Sequence, residues 1–206
     1  MLFDISSSGL AVIGNEIYHW GKIMWRNSVS KGERWKYKPH KNTTHFYVDD
    51  IKCGKWDNIA LSEERVYRIE FDVYGNFMFK EIHQLKNITS IYSGLLYFIA
   101  VSSTNNIYIW GKNLFDSGYN EHSIELNCGK IHDITCCETR AIISTDNGVW
   151  ILGKYGPESN FSPERIIFAS SSTIDQIKCN DKMIVLVVGN KIYINCNNTG
   201  KKFSDT

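Results

Sequence analysis

Residues Asp50–Arg68 read DIKCGKWDNIALSEERVYR, and the order of residue types in this stretch decides the fold. It opens with an apolar, a polar and a small residue, Ile51, Lys52 and Cys53. A short polar gap leads to the apolar run Ile59-Ala60-Leu61, then to a turn at Glu63-Glu64, then to a second run that carries the aromatic Tyr67. Short runs rich in β-branched and aromatic residues, bounded by turn formers, are strand signals. The same order returns in Ser90–Gly111 (SIYSGLLYFIAVSSTNNIYIWG), Asp133–Gly153 (DITCCETRAIISTDNGVWILG) and Asp175–Ile194 (DQIKCNDKMIVLVVGNKIYI). A truncated copy occupies Asp4–Gly21. The aligned aromatics Tyr18, Tyr67, Tyr108, Trp150 and Tyr193 are separated by 49, 41, 42 and 43 residues, a period that marks a repeat architecture.

Each copy reads as antiparallel strands. Gly14-Asn15, Asn105-Asn106, Asn147-Gly148 and Gly189-Asn190 supply the residues that tolerate positive φ in tight hairpins. No segment sustains a 3.6-residue apolar period with caps at both ends. A sheet of about 42 residues cannot bury both of its faces alone, and stacking such sheets around an axis buries them against one another. The chain is therefore expected to be all-β, a β-propeller-like repeat protein with about four to five short blades in a single domain over residues 1–206. It closes as a small ring, remains an open arc, or is completed by another chain. An arc would expose two blade edges, which invites pairing with a partner or with a second copy.

Composition narrows the function classes. With 43% hydrophobic residues and 13% aromatic, the chain has the material for a packed core. Its 23 basic residues face 22 acidic ones, so its surface as a whole is not built to neutralise many phosphates. The longest apolar runs, such as Ile184–Val188, are too short to cross a bilayer, and the N-terminus lacks a basic segment ahead of an apolar one. No membrane association or export is expected. The six cysteines form no Cys-x-x-Cys pair, and several lie in strand-like runs, so they are expected as buried, reduced thiols in the cytoplasm or nucleus. No cofactor or metal is expected. The six histidines are scattered, with no nucleophile motif beside them and no phosphate-binding loop in the chain, so catalysis is not expected. The pairs Asp49-Asp50 and Glu63-Glu64 read as turn and edge residues.

Ile51-Lys52-Cys53-Gly54, Ile59-Ala60-Leu61 and Arg65-Val66-Tyr67 resemble the repeat of the regulator-of-chromosome-condensation family. So do Ile107-Tyr108-Ile109-Trp110-Gly111-Lys112-Asn113 and Val149-Trp150-Ile151-Leu152-Gly153-Lys154. The resemblance covers nearly the whole chain. Its glycine after the first strand survives as Gly54 and Gly94, while Ser8, Cys137 and Asn180 hold that place in the other copies. Its glycine after the aromatic survives as Gly21, Gly111 and Gly153, with Glu70 and Cys196 elsewhere. Family members close a larger ring of longer blades. The resemblance implies an interaction scaffold or adaptor subunit of a larger complex. Guanine-nucleotide exchange on a Ran-like small GTPase is the alternative it implies.

The most unusual stretch is the longest gap between two copies, Lys22–His45, KIMWRNSVSKGERWKYKPHKNTTH. From Lys22 to Lys41 it holds seven basic residues and one acid, Glu33. Trp25, Arg26, Arg34, Trp35, Lys36, Tyr37 and Lys38 are the candidate partner-binding residues. Cations interleaved with aromatics suit an acidic peptide, or phosphate contact with base stacking. The plainer account is an inter-blade loop with solvated lysines. A protein partner ranks first, and chromatin or RNA association through 22–41 ranks last because the overall charge is near neutral.

Overall fold

The computed structural model describes residues 1–5, 8–14, 16–26, 31–43, 47–55, 57–72, 74, 76–95, 97–111, 122–124, 129–138, 140–153, 164–166, 174–180, 182–196 and 204–205. Among these residues lie twenty strands in five four-stranded antiparallel sheets. The first sheet holds β1 (Leu2–Ile5), β2 (Ser8–Ile13), β3 (Glu16–Arg26) and β4 (Lys31–Thr43). The second holds β5 (Asp50–Cys53), β6 (Asn58–Ser62), β7 (Arg65–Phe71) and β8 (Phe77–Glu81). The third holds β9 (Ile88–Ser93), β10 (Tyr97–Ser102), β11 (Ile107–Gly111) and β12 (His122–Ile124). The fourth holds β13 (Ile131–Cys136), β14 (Arg140–Thr145), β15 (Gly148–Gly153) and β16 (Glu164–Ile166). The fifth holds β17 (Gln176–Cys179), β18 (Met183–Val188), β19 (Lys191–Cys196) and β20 (Ser204–Asp205). Strand order follows chain order in every sheet, so each repeat is one meander. The chain divides into two compact units, Met1–Ser93 with Phe98–Thr104, and Gly94–Tyr97 with Asn105–Thr206.

The repeat seen in the sequence is a repeat of register. Tyr18, Tyr67, Tyr108, Trp150 and Tyr193 all lie on the third strand of their sheets and all are half-buried. In four sheets the aromatic's cross-strand partner lies seven residues upstream, at Ala11, Ala60, Ile143 and Leu186. The apolar runs are the second strands. Every residue of β6, β10 and β14 is buried, which is why these strands read as continuous apolar runs and not as alternating ones. In the first unit Leu10, Ile17, Ile51 and Ala60 form the core between the first and second sheets. In the second unit Ile142, Ile177, Ile184 and Leu186 do the same for the fourth and fifth.

The turns follow the same plan. Gly14, Asn105, Gly148 and Gly189 have φ of 61°, 62°, 118° and 58°, at the turns the sequence marks. The second sheet differs: Glu63 and Glu64 take φ of 48° and 60° in the two-residue turn between β6 and β7, a conformation that costs an ordinary L residue about 1–2 kcal/mol. A second recurring turn joins the first two strands. Backbone N–H groups of Gly54, Gly94, Cys137 and Asn180 donate to the carbonyls of Asp57, Tyr97, Arg140 and Met183 at 2.8–2.9 Å. Ser8, aligned with these residues in sequence, opens β2 opposite Gly21, so it does not hold the turn position. Gly54 and Gly94 are required by close approach. A Cβ at Gly54 would come within 2.8 Å of the Phe98 ring, and one at Gly94 would fall inside the Tyr97 ring and 2.7 Å from the Cys137 carbonyl.

Buried polar groups join Tyr97 of the third sheet to the fourth, and the fourth to the fifth. The Tyr97 hydroxyl lies 2.5 Å from the Arg140 carbonyl and 3.0 Å from that of Cys137. Arg140, 1% exposed, donates from Nη2 to the Asn180 carbonyl at 2.8 Å, so this buried cation is hydrogen-bonded, as burial demands. One expectation is corrected here. Cys137 and Cys179 form a disulfide across one repeat, with Cα atoms 6.0 Å apart, so two of the six cysteines are not thiols. Spacing rules for zinc sites and redox motifs could not reveal this pair, because the two residues are brought together by sheet stacking. Cys53 is a buried thiol and Cys136 a half-buried one. Cys136 pairs with Ala141 at the end of β13, while Cys137 sits in the turn beyond it.

Candidate interaction surface

Among the described residues the first sheet ends in a structure that no other sheet repeats. β3 has 11 residues and β4 has 13, and the two pair from Glu16↔Thr43 to Arg26↔Lys31. The stretch 22–43 is therefore not the inter-blade loop of the plainer sequence reading. Residues 22–26 lie on β3 and 31–43 on β4, the two arms of a long hairpin within a sheet, because cations and aromatics in alternation satisfy a strand as well as they do a loop. The register shifts between His19 and Gly21, where residues 37–39 of β4 fall opposite Trp20 alone and Gly21 has φ of 89°.

The base of the hairpin is anchored. His19 is fully buried against Phe71 and Phe77, with ring centroids 4.7 and 5.2 Å away. Phe71 and Phe77 themselves pack at 5.1 Å, so β3 rests on the outer half of the second sheet. Opposite, Glu16 takes an ion pair from Lys41 and a 2.6 Å hydrogen bond from the Tyr18 hydroxyl. Those two contacts, Lys41 first, hold the Glu16 carboxyl below its ordinary pKa. The same bonds to Glu16 raise Lys41 and Tyr18.

The candidate residues fall along the remainder. Trp25 and Arg26 lie on β3, opposite Gly32 and Lys31. Arg34, Trp35 and Lys36 lie on β4, opposite Ile23, Lys22 and Gly21. Tyr37 and Lys38 continue β4, and the Lys38 side chain is exposed. The hairpin thus brings both groups onto one two-stranded ribbon. Backbone positions alone are described for 22–26 and 31–37, with side chains outside the described residues. The hairpin tip, 27–30, lies outside them as well.

A second feature escaped the sequence reading. A groove of about 580 Å³ at the end of the second sheet is lined by Glu63, Glu64, Arg65, Glu81, His83, Lys86 and Asn87. Its charges are of both signs and partly paired, Arg65 to Glu81 at 3.6 Å and His83 to Glu81 at 3.4 Å. Apolar walls, which give small-molecule sites their affinity, are lacking among these residues. Glu63 N–H is held by the Asp49 carboxylate at 2.8 Å, and Ile88 N–H donates to the Glu64 carbonyl at 2.9 Å, so the backbones of both glutamates are held in a tight turn, the place their sequence pattern gives them. The only advance signal was a Glu-Glu pair where other copies place Gly or Asn. Among the described residues no cluster of three or more His, Cys, Asp or Glu is placed to hold a metal, and no helix is long and apolar enough to cross a membrane.

No family model and no curated protein matches the sequence. Solved structures do match. The chain is similar to yeast RCC1 (Prp20) in its complex with Kap60, with a TM-score of 0.68, 16% identity, and coverage of 97% of this chain and 57% of that one. It is equally similar to Prp20p from Saccharomyces cerevisiae, with a TM-score of 0.67, 16% identity, and coverage of 97% and 60%. The N-terminal domain of Nup159 matches with a TM-score of 0.54, 11% identity, and coverage of 100% and 61%. These likenesses show the fold, an RCC1-type repeat β-propeller fold. The chain spans about three-fifths of the length of the structures it matches.

Proposed function

We propose that this protein is a non-enzymatic interaction module, an adaptor subunit that presents a basic, aromatic hairpin on a stiff β-frame to a protein partner. The observation that carries the reading is the β3–β4 hairpin. It is anchored at its base by buried His19 and Glu16–Lys41, and it carries Trp25, Arg26 and Arg34–Lys38 away from that anchor. Binding residues concentrate on segments that a rigid scaffold positions, and Arg, Trp and Tyr are the residue types that dominate protein interfaces. Cytoplasm or nucleus is the compartment we propose. Affinity capture with mass spectrometry on the wild-type chain, and on an Arg34→Glu/Lys36→Glu/Lys38→Glu variant, tests the reading. Stoichiometric partners recovered by the wild type and lost by the variant support it. Recovery of the bare chain from both rejects it.

A second reading draws on the matched structures. Prp20p is described by its binding to Gsp1p and histones, and this chain shares its fold over about three-fifths of its length. On that reading the chain promotes nucleotide release from a Ran-like GTPase, or associates with chromatin or RNA through 22–41. A nucleotide-release assay with purified small GTPases addresses the first, and a flat trace removes it. Filter binding across a salt series addresses the second, since phosphate contacts would give a steep salt dependence.

A further inference from the structure

We infer that the free edge of β4 takes an extended acidic peptide as a fifth strand of the first sheet. The inference rests on the interaction reading above and names the partner's chemistry and its mode of docking.

Among the described residues the outer strands of the five sheets are unequal. β8 has 5 residues, β12 and β16 have 3 each and β20 has 2, whereas β4 has 13. Strand order puts β4 at the edge of its sheet, paired with β3 alone among the described strands. An edge strand turns every second N–H and C=O outward with no partner, and proteins usually keep such edges short. The regularly paired run from Lys31 to Lys36, six residues at ~3.4 Å each, extends ~20 Å, room for a partner strand of ordinary length.

Charge selects the occupant. β4 carries Lys31, Arg34, Lys36, Lys38 and Lys41 against the single acid Glu33. Arg34 and Lys36 stand two residues apart on the regularly paired part of β4, the period of a strand, so alternate residues of an added strand stand level with them. Lys38 follows in the register shift, where residues 37–39 fall opposite the single residue Trp20. Lys41 is already committed to Glu16. Pro39 lacks a donor and residues 37–39 lie in the register shift, which directs strand addition to the part of β4 between Lys31 and Lys36. A second copy of this chain would bring the same cations against these, and like charges across a strand pair oppose it. An acidic strand is complementary in both backbone and charge.

The test uses the full chain and a fluorescent peptide of about ten residues alternating Glu and Val, read by anisotropy at low salt. Saturable binding is expected, with none for the peptide that alternates Lys and Val. Methylating alternate backbone nitrogens of the Glu–Val peptide should weaken binding about tenfold or more, because it removes donors without changing charge. Hydrogen exchange should slow at β4 amides between 31 and 36 on binding. Arg34→Glu/Lys36→Glu/Lys38→Glu, checked for unchanged thermal unfolding, should also lose about tenfold or more. Equal affinity for the methylated peptide on the wild-type chain overturns strand addition whether or not the variant folds. So does preference for a single-stranded RNA oligonucleotide over the peptide. If captured partners still depend on Arg34, Lys36 and Lys38 while the peptide fails to bind, the interaction reading stands and this inference falls.

Discussion

β5 in the second sheet and β17 in the fifth carry nearly the same residues in the same register. Ile51 pairs with Ala60 and Cys53 with Asn58, and Ile177 pairs with Leu186 and Cys179 with Ile184. Ile51 and Ile177 are both buried, and each joins the core of its own unit. The cysteines two residues on are used differently. The Cys53 backbone N–H and thiol bind the Asp4 carboxylate and carbonyl at 2.5 and 3.4 Å, so the thiol stays free. Cys179 meets Cys137, the residue at the turn position that Gly54 holds in the second sheet, and is bonded to it. A strand pattern fixes where a side chain points. What it meets there is set by the neighbouring sheet.

The largest effect expected from this comparison is a shared one. Ile51→Ala and Ile177→Ala each remove a fully buried side chain, and each should cost about 2–5 kcal/mol of unfolding free energy in a denaturant titration. Costs differing by more than about twofold would break the equivalence of the two strands. The next effect separates them. Reducing the Cys137–Cys179 bond, which closes a loop across 42 residues, should lower stability by about 2–4 kcal/mol, seen as a lower melting temperature with reductant. Cys179→Ser should abolish that reductant response and Cys53→Ser should leave it. Native-state alkylation sharpens the contrast: burial pushes the Cys53 thiol pKa up, with the Asp4 charge adding to it, so Cys53 should be labelled only after unfolding.

A smaller effect lies at the turns. Replacing Glu63-Glu64 by Asn-Gly supplies residues suited to positive φ and should stabilise the protein by about 1 kcal/mol in thermal unfolding. A loss of stability would show that these glutamates do more for the second sheet than close a turn. The smallest concerns pH. The Glu16 carboxyl titrates below its ordinary value in the folded protein, so its contribution is present above the unfolded pKa and is lost as pH falls through the folded one. Glu16→Gln should flatten that part of the stability-against-pH profile slightly, since both partners of this ion pair are largely solvent-exposed.

The first three strands of each sheet were legible in the sequence because they repeat. Their apolar runs, turn residues and aromatics at Tyr18, Tyr67, Tyr108, Trp150 and Tyr193 recur in order, and each landed in an equivalent place. The fourth strands were not legible, because β8, β12, β16 and β20 share no pattern, and an outer strand packs on one side only and accepts many sequences. The candidate residues from Trp25 to Lys38 could be picked out by composition. Their arrangement on a hairpin edge could not, since period-two alternation of Lys and aromatic residues carries no apolar face from which to read a register.

By itself the sequence determined the unit: antiparallel strands, positive-φ turns at Gly14, Asn105, Gly148 and Gly189, and a period that requires neighbouring sheets to cover one another. Tertiary structure alone decided which buried thiols become a disulfide, and why Gly54 and Gly94 admit no side chain. It also decided that the apolar strand β18 alternates between half-buried and buried residues, whereas β10 and β14 are buried throughout. Local pattern is a property of residues a few positions apart, read directly along the chain. Burial of a strand's second face, a ring against a glycine and a sulfur against a sulfur are contacts between residues about forty positions apart, and only the stacking of whole sheets sets them.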